Sequence, residues 1–301
     1  MAAFHAPSSA SHLADHSVPP SERAAPDRAA APKTPLHHAV RRVHLPGTLT
    51  ALPPVLRPVH DYVSYVDGLG DEPRHARDLD LGSLARDIKE LYGGRPLPVS
   101  VVRGLAQTVE QHHVPAELLL DLVDAQRPGG SAARYDSFGD LLEHCRRSVN
   151  PVGRLVLQVV DRATPDRLEL SDRICVGLHL LEHWRCVRAD AVRGRICLPR
   201  EDLSRFGVTE AEVVGACGSA QLPALLAFET SRALAWLNSG AVLTTTLHGW
   251  GRFVFAGYLA RGRADAELLR RGGYAPTAGA AEPTARDLAR AWLTGLATRP
   301  G

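Results

Sequence analysis

A chain of 301 residues can bury one large core or two small ones, and its 35 Lys+Arg against 33 Asp+Glu leave a formal net charge of +2. That balance excludes a partner held by long-range charge, and nucleic acid is not expected to bind. No apolar run approaches the roughly 20 residues needed to span a bilayer, and the opening MAAFHAPSSASHLADH lacks the basic start and apolar centre of a leader, so a cytoplasmic protein without a transmembrane segment is expected.

Residues 1–34 are rich in Ala, Pro, Ser and Asp with few large apolar side chains, a composition that predicts disorder. From residue 35 to about 275 apolar residues recur with helical period and alternation is scarce, which predicts an all-α domain. Helices are predicted over roughly 55–71, 79–92, 99–113, 115–126, 137–148, 152–161, 170–192, 209–217, 222–246 and 249–271. A Pro/Gly/Ala-rich linker and a last helix, roughly 284–297, fill residues 276–301. Ser137-Phe-Gly-Asp140 and Thr209-Glu-Ala-Glu212 have the spacing of capping boxes, and Gly93-Gly94 and Gly272-Gly273 are helix stops. The five cysteines, at 145, 175, 186, 197 and 217, contain no Cys-x-x-Cys pair and read as free thiols rather than a zinc site.

Two acidic segments carry the chemistry. Asp67 and Asp71 sit four residues apart in YVDGLGDE, and Glu182, Cys186 and Asp190 recur at the same interval in LLEHWRCVRAD. Residues at i, i+4 and i+8 run along one side of a helix, so each segment is expected to aim its acids into a common space. Two acidic faces across a cavity suit Mg²⁺ against a diphosphate, because Mg²⁺ takes hard oxygen ligands and bridges to phosphate. Cys186 is a poor replacement for a carboxylate there, since a thiolate suits softer metals. It reads as a small buried filler.

Longer stretches resemble a known family. YDSFGDLLEHCRRSVNPVGRLVL, from Tyr135 to Leu157, resembles the central region of the squalene/phytoene synthases, and RICLPREDLSRFGV, from Arg195 to Val208, resembles the stretch just after their second aspartate motif. SVNPVGR and LPREDLSRFG are most similar to the bacterial hydroxysqualene-synthase branch. The resemblance implies a single-domain isoprenoid-synthase helical bundle with a central active-site cavity, in which Mg²⁺ helps a prenyl diphosphate to ionise. Carried over residue by residue, it makes Asp67, Asp71 and Asp190 catalytic metal ligands, while Glu182 and Asp190 are the candidate bases for the proton lost in transfer to an aromatic ring. It assigns Arg185, Arg195, Tyr258, His179 and Cys186 to substrate binding. The departures fall on cavity positions: Gly68 replaces an acid, Ser64 an arginine, Cys186 an aspartate, Glu182 an asparagine, His179 a glutamine, and His144 and Cys197 tyrosines. His37, His38, Arg41 and Arg42 stand where the family makes further phosphate contacts.

With the first acidic pair kept and the second weakened, one diphosphate is the expected load. Tyr62, Tyr65, Trp184 and Phe138 are the aromatic candidates to face a cation. Members of the family redeployed to prenylate aromatic acceptors, carbazoles among them, make transfer of a short prenyl group, such as dimethylallyl, to an aromatic small molecule the first expectation. Formation of squalene or hydroxysqualene from farnesyl or presqualene diphosphate is the second, since the hydroxysqualene step consumes one diphosphate. A non-catalytic partner subunit is the third.

Overall fold

The computed structural model describes residues 53–70, 74–97, 100–127, 134–160, 162–215, 220–276 and 282–297. Among these residues the chain forms one 3₁₀ turn, Pro54–Leu56, and thirteen α-helices, with no strand. The helices are α1 (Arg57–Gly70), α2 (Arg74–Tyr92), α3 (Val101–His112), α4 (Ala116–Ala125), α5 (Phe138–Ser148), α6 (Asn150–Val159), α7 (Pro165–Val192), α8 (Arg200–Phe206), α9 (Glu210–Val214), α10 (Leu222–Ser239), α11 (Leu243–Thr246), α12 (Gly249–Arg271) and α13 (Ala285–Ala297). The all-α expectation is met. The expected N-terminal segment, and with it His37, His38, Arg41 and Arg42, lies outside the described residues, as do Asp71 and Cys217.

Helix ends follow local chemistry. Ser137 and Thr209 each accept the third backbone N–H of their helix while Asp140 and Glu212 reach back, so both capping boxes form. α2 stops before Gly94 and α12 before Gly273, each with positive φ. α7 starts a turn earlier than periodicity predicts, with Pro165 at its first position, where a missing N–H is harmless. The short α8 has too few residues to show a period.

At 28 residues α7 is the longest helix, and it is buried on most sides by α6, α10 and α12. Close approach to α10 depends on Gly177, where a Cβ would fall 2.5 Å from the Leu237 backbone N. The single helix expected over 222–246 is instead broken at Gly240. There a Cβ would meet the Leu170 carbonyl at 2.5 Å and Ile174 at 2.6 Å, so the turn sits closely against the first turns of α7. The core runs without a break from Leu56 to Leu269.

Candidate active site

The rotation of α7 decides which side chains meet. Each residue turns the helix by about 100°, so a step of four drifts by about 40° and Glu182 and Asp190 end about 80° apart. The expectation that Glu182, Cys186 and Asp190 would present one acidic face is therefore corrected. The two acids serve different neighbours.

Asp190, 6% exposed, lies between Arg195 and His183. Arg195 Nη2 donates to its Oδ1 at 3.2 Å, and His183 Nδ1 faces its Oδ2 at 3.3 Å. Burial works against the charged carboxylate, but His183 and Arg195 together outweigh it and hold the Asp190 pKa below the ordinary value. His183 shows the reverse balance. Burial favours its neutral ring, yet Cys197 and Asp190 raise its pKa to about 10. One turn back, His179 Nε2 lies 2.9 Å from His183 Nε2, with the rings edge to face. Burial, then His183, His144 and Arg195, push His179 well below the usual imidazole range, so it stays neutral.

Glu182 and Arg185 belong to a separate network toward α12. The Glu182 carboxylate, fully buried, lies 3.9 Å from Arg185 Nη2. Arg185 Nε is 3.0 Å from Asp265 Oδ1, and its Nη2 is 3.6 Å from Glu282 Oε1. Arg261 completes the set, 2.9 Å from Asp265 and 2.7 Å from Glu282. Arg185 is thus engaged by carboxylates of the chain itself.

The aromatic candidates divide likewise. Tyr62 is buried in the core and donates to the Leu119 carbonyl at 2.8 Å. Tyr65 is 46% exposed on the outer side of α1. Phe138 lies under the Arg232 guanidinium at 3.7 Å, and Trp184 is buried in α7. Tyr258 is buried with its hydroxyl unpartnered among the described residues, beside a cavity of about 10 Å³ lined by Leu56, Val59, His60, Val63, Val152 and Val156. Cys186 is buried. Asp67 is half-buried near the end of α1.

Mg²⁺ does not fit the α7 donor set. The two oxygens of Asp190 already face Arg195 and His183, Glu182 lies near Arg185, and Cys186 offers a soft sulfur. Among the described residues no group of three or more His, Cys, Asp or Glu side chains is arranged to hold a metal. A larger open groove of about 700 Å³ between α5, α6, α7 and α10 contains none of the expected site residues. Its Arg146, Arg154 and Arg173 are each paired with an acid of the same groove, so the α7 cluster is the stronger candidate for chemistry.

Sequence reasoning missed His183, which joins Asp190 to His179. The signal was available in the i, i+4 spacing of His179 and His183 and the seven-residue step to Asp190. It also missed Asp265 and Glu282, far along the chain from the Arg185 they bind.

Comparison with known proteins agrees with this architecture. A hydroxysqualene synthase of Sinorhizobium fredii is 29% identical over 185 residues, 61% of this chain and 63% of that protein. One from Rhodopseudomonas palustris is 30% identical over 195 residues, 64% of this chain and 62% of that protein. The matched stretch is thus under two thirds of either relative's length. The crystal structure of a squalene synthase from Alicyclobacillus acidocaldarius superposes with a TM-score of 0.68 at 29% identity, covering 74% of this chain and 86% of that one. A dehydrosqualene synthase with bound ligand has the same fold, with a TM-score of 0.68 at 19% identity, covering 82% and 88%. No described helix is long and apolar enough to cross a membrane. The family model for squalene/phytoene synthase matches residues 58–290, and the chain belongs to that family.

Proposed function

We propose that the chain is an isoprenoid-diphosphate enzyme of the squalene type that acts on one diphosphate, with conversion of presqualene diphosphate to hydroxysqualene as the reaction. The carrying observation is the division of α7: one carboxylate, Asp190, is paired with Arg195 and His183, while Glu182 is turned toward Arg185. That leaves too few acids on the α7 side for a second metal cluster. Among the similar proteins, hydroxysqualene synthases of three organisms support this reading, beside phytoene synthases and a presqualene diphosphate synthase. In the proposed reaction the C–O bond of the cyclopropylcarbinyl diphosphate breaks and diphosphate leaves with the electron pair. The carbocation rearranges and adds water, which loses a proton, so no reductant is consumed.

Asp67 and Asp71 supply hard oxygens, and they are the residues that would hold Mg²⁺; bound there, it would withdraw charge from the leaving group. Arg195 adds positive charge beside Asp190. Transfer to an aromatic acceptor, the first expectation from sequence, has less support. Tyr62 and Phe138 are engaged elsewhere and Tyr65 faces solvent, which leaves few free rings to build an acceptor pocket.

Incubation with Mg²⁺ and, separately, presqualene, farnesyl and dimethylallyl diphosphates, the last with an aromatic acceptor pool, tests this by mass spectrometry. Hydroxysqualene from presqualene diphosphate is expected. A prenylated aromatic product would restore the acceptor reading, and no turnover of any substrate would favour a non-catalytic partner.

A further inference from the structure

The reaction proposed for this chain consumes one water, and every other water is a hazard to it. A carbocation is captured by whichever nucleophile reaches it first, so the site must stay dry during rearrangement and then supply one water. The cavity beside Tyr258 has the size and the lining for that task. Its volume, about 10 Å³, is that of a single water position. Val59 and Val63 of α1, Val152 and Val156 of α6, and Leu56 make its walls aliphatic, and Tyr258 and His60 are the two polar side chains among them.

Tyr258 is 1% exposed, and its hydroxyl has no hydrogen-bond partner among the described residues. A buried hydroxyl without a partner costs free energy that a bound water removes. Phe255 packs edge to face on the Tyr258 ring, with centroids 5.6 Å apart, which holds the ring in place. The cavity also lies near the position where charge develops in the proposed reaction. Val63 and Asp67 are one turn apart on α1, a rise of about 6 Å, and Asp67 is one of the acids proposed to hold Mg²⁺ at the diphosphate.

We infer, on the hydroxysqualene reading, that this cavity binds a single water against the Tyr258 hydroxyl, and that this water captures the rearranged cation. A water with so few partners keeps a lone pair free. In the capture step that lone pair forms the new C–O bond. The surplus proton of the water passes to the departed diphosphate, a base that ionisation itself supplies. No bond to Tyr258 forms or breaks, so its part is to position the nucleophile. Without that water the same cation loses a proton from a neighbouring carbon and ends as a hydrocarbon. Tyr258 thereby decides between alcohol and hydrocarbon.

A high-resolution crystal structure of the full-length protein checks the site without turnover. An ordered water within hydrogen-bond reach of Tyr258 Oη is expected in the wild type, and none in Tyr258→Phe. With presqualene diphosphate and Mg²⁺, mass spectrometry then gives the ratio of hydroxysqualene to hydrocarbon. That ratio is expected to fall about tenfold or more in Tyr258→Phe, however far the overall rate also falls. Val152→Ile, which adds a methyl group to the cavity wall, should move the ratio the same way. A merely structural tyrosine would lower rate or stability and leave the ratio alone. A wild-type cavity without the water overturns the inference, as does an unchanged ratio in Tyr258→Phe. If the water is present but the wild type does not turn over presqualene diphosphate, the binding site stands, and its catalytic role falls together with the hydroxysqualene reading.

Discussion

Glu229 shows what burial does to one carboxyl group here. It is fully buried on α10, and Arg232 Nη2 lies 2.6 Å from both its Oε1 and Asp202 Oδ2. Burial raises its pKa to about 8, Arg232 opposes the rise, and Asp202 adds to it. In the unfolded chain the group ionises at its ordinary 4.5, so the unfolded state gives up its proton first as pH climbs. Stability should therefore fall between about pH 4.5 and pH 8 and stay lowered above that window. Glu229→Gln removes the titration while Asp202 still holds Arg232. Its melting temperature should gain on the wild type as pH goes from 5 to 9, and parallel pH profiles would count against this account. At the same scale, Asp67→Ala or Asp71→Ala is expected to cut turnover about a hundredfold, the scale of losing a main electrostatic contribution. Activity that survives both EDTA and these changes would remove Mg²⁺ from the proposal.

Between elements, packing of α7 against α10 is set by the absence of a side chain. The Leu237 backbone N would lie 2.5 Å from a Cβ at position 177 and its Cα 2.7 Å, and neither can yield without moving α10. Gly177→Ala should destabilise the fold by about 1–3 kcal/mol despite the better helix propensity of Ala. Gly82→Ala, whose Cβ would meet nothing within 4 Å, is the control, expected to be neutral or stabilising; equal effects in denaturant unfolding would refute the close-packing argument. Most helices were legible because period, capping boxes and glycine stops are local signals, as at Ser137 and Thr209. The break at Gly240 was not, since the apolar period runs on past it, and the close seating of that glycine against Leu170 and Ile174 involves residues seventy and sixty-six places earlier in the chain. For the candidate site, the sequence pointed to some residues that lie together but not to their geometry. Asp190, Arg195 and His179 do come together, but sequence spacing alone could not show that the drift of an α-helix would send Glu182 to Arg185.

Across the whole molecule, the Arg185 network joins the middle of α7 to α12 and to the segment leading into α13. Its members differ sharply in exposure: the side chains of Arg185 and Asp265 are 4% and 0% exposed, and that of Glu282 is 48% exposed. A buried ion that loses its partner is left uncompensated, at about 3–5 kcal/mol, whereas an exposed pair is screened by water and contributes about 1 kcal/mol or less. Asp265 is the buried anion facing both arginines, at 3.0 Å from Arg185 and 2.9 Å from Arg261. Asp265→Ala should therefore destabilise the protein by several times as much as Glu282→Ala, read as the shift in urea midpoint at constant slope. Added salt should narrow the small Glu282→Ala effect and leave the Asp265→Ala effect nearly unchanged, because screening reaches only the exposed partner. Equal losses from the two substitutions would mean that the network is held at its surface end, and that the segment before α13, rather than α12, fixes Arg185 in place.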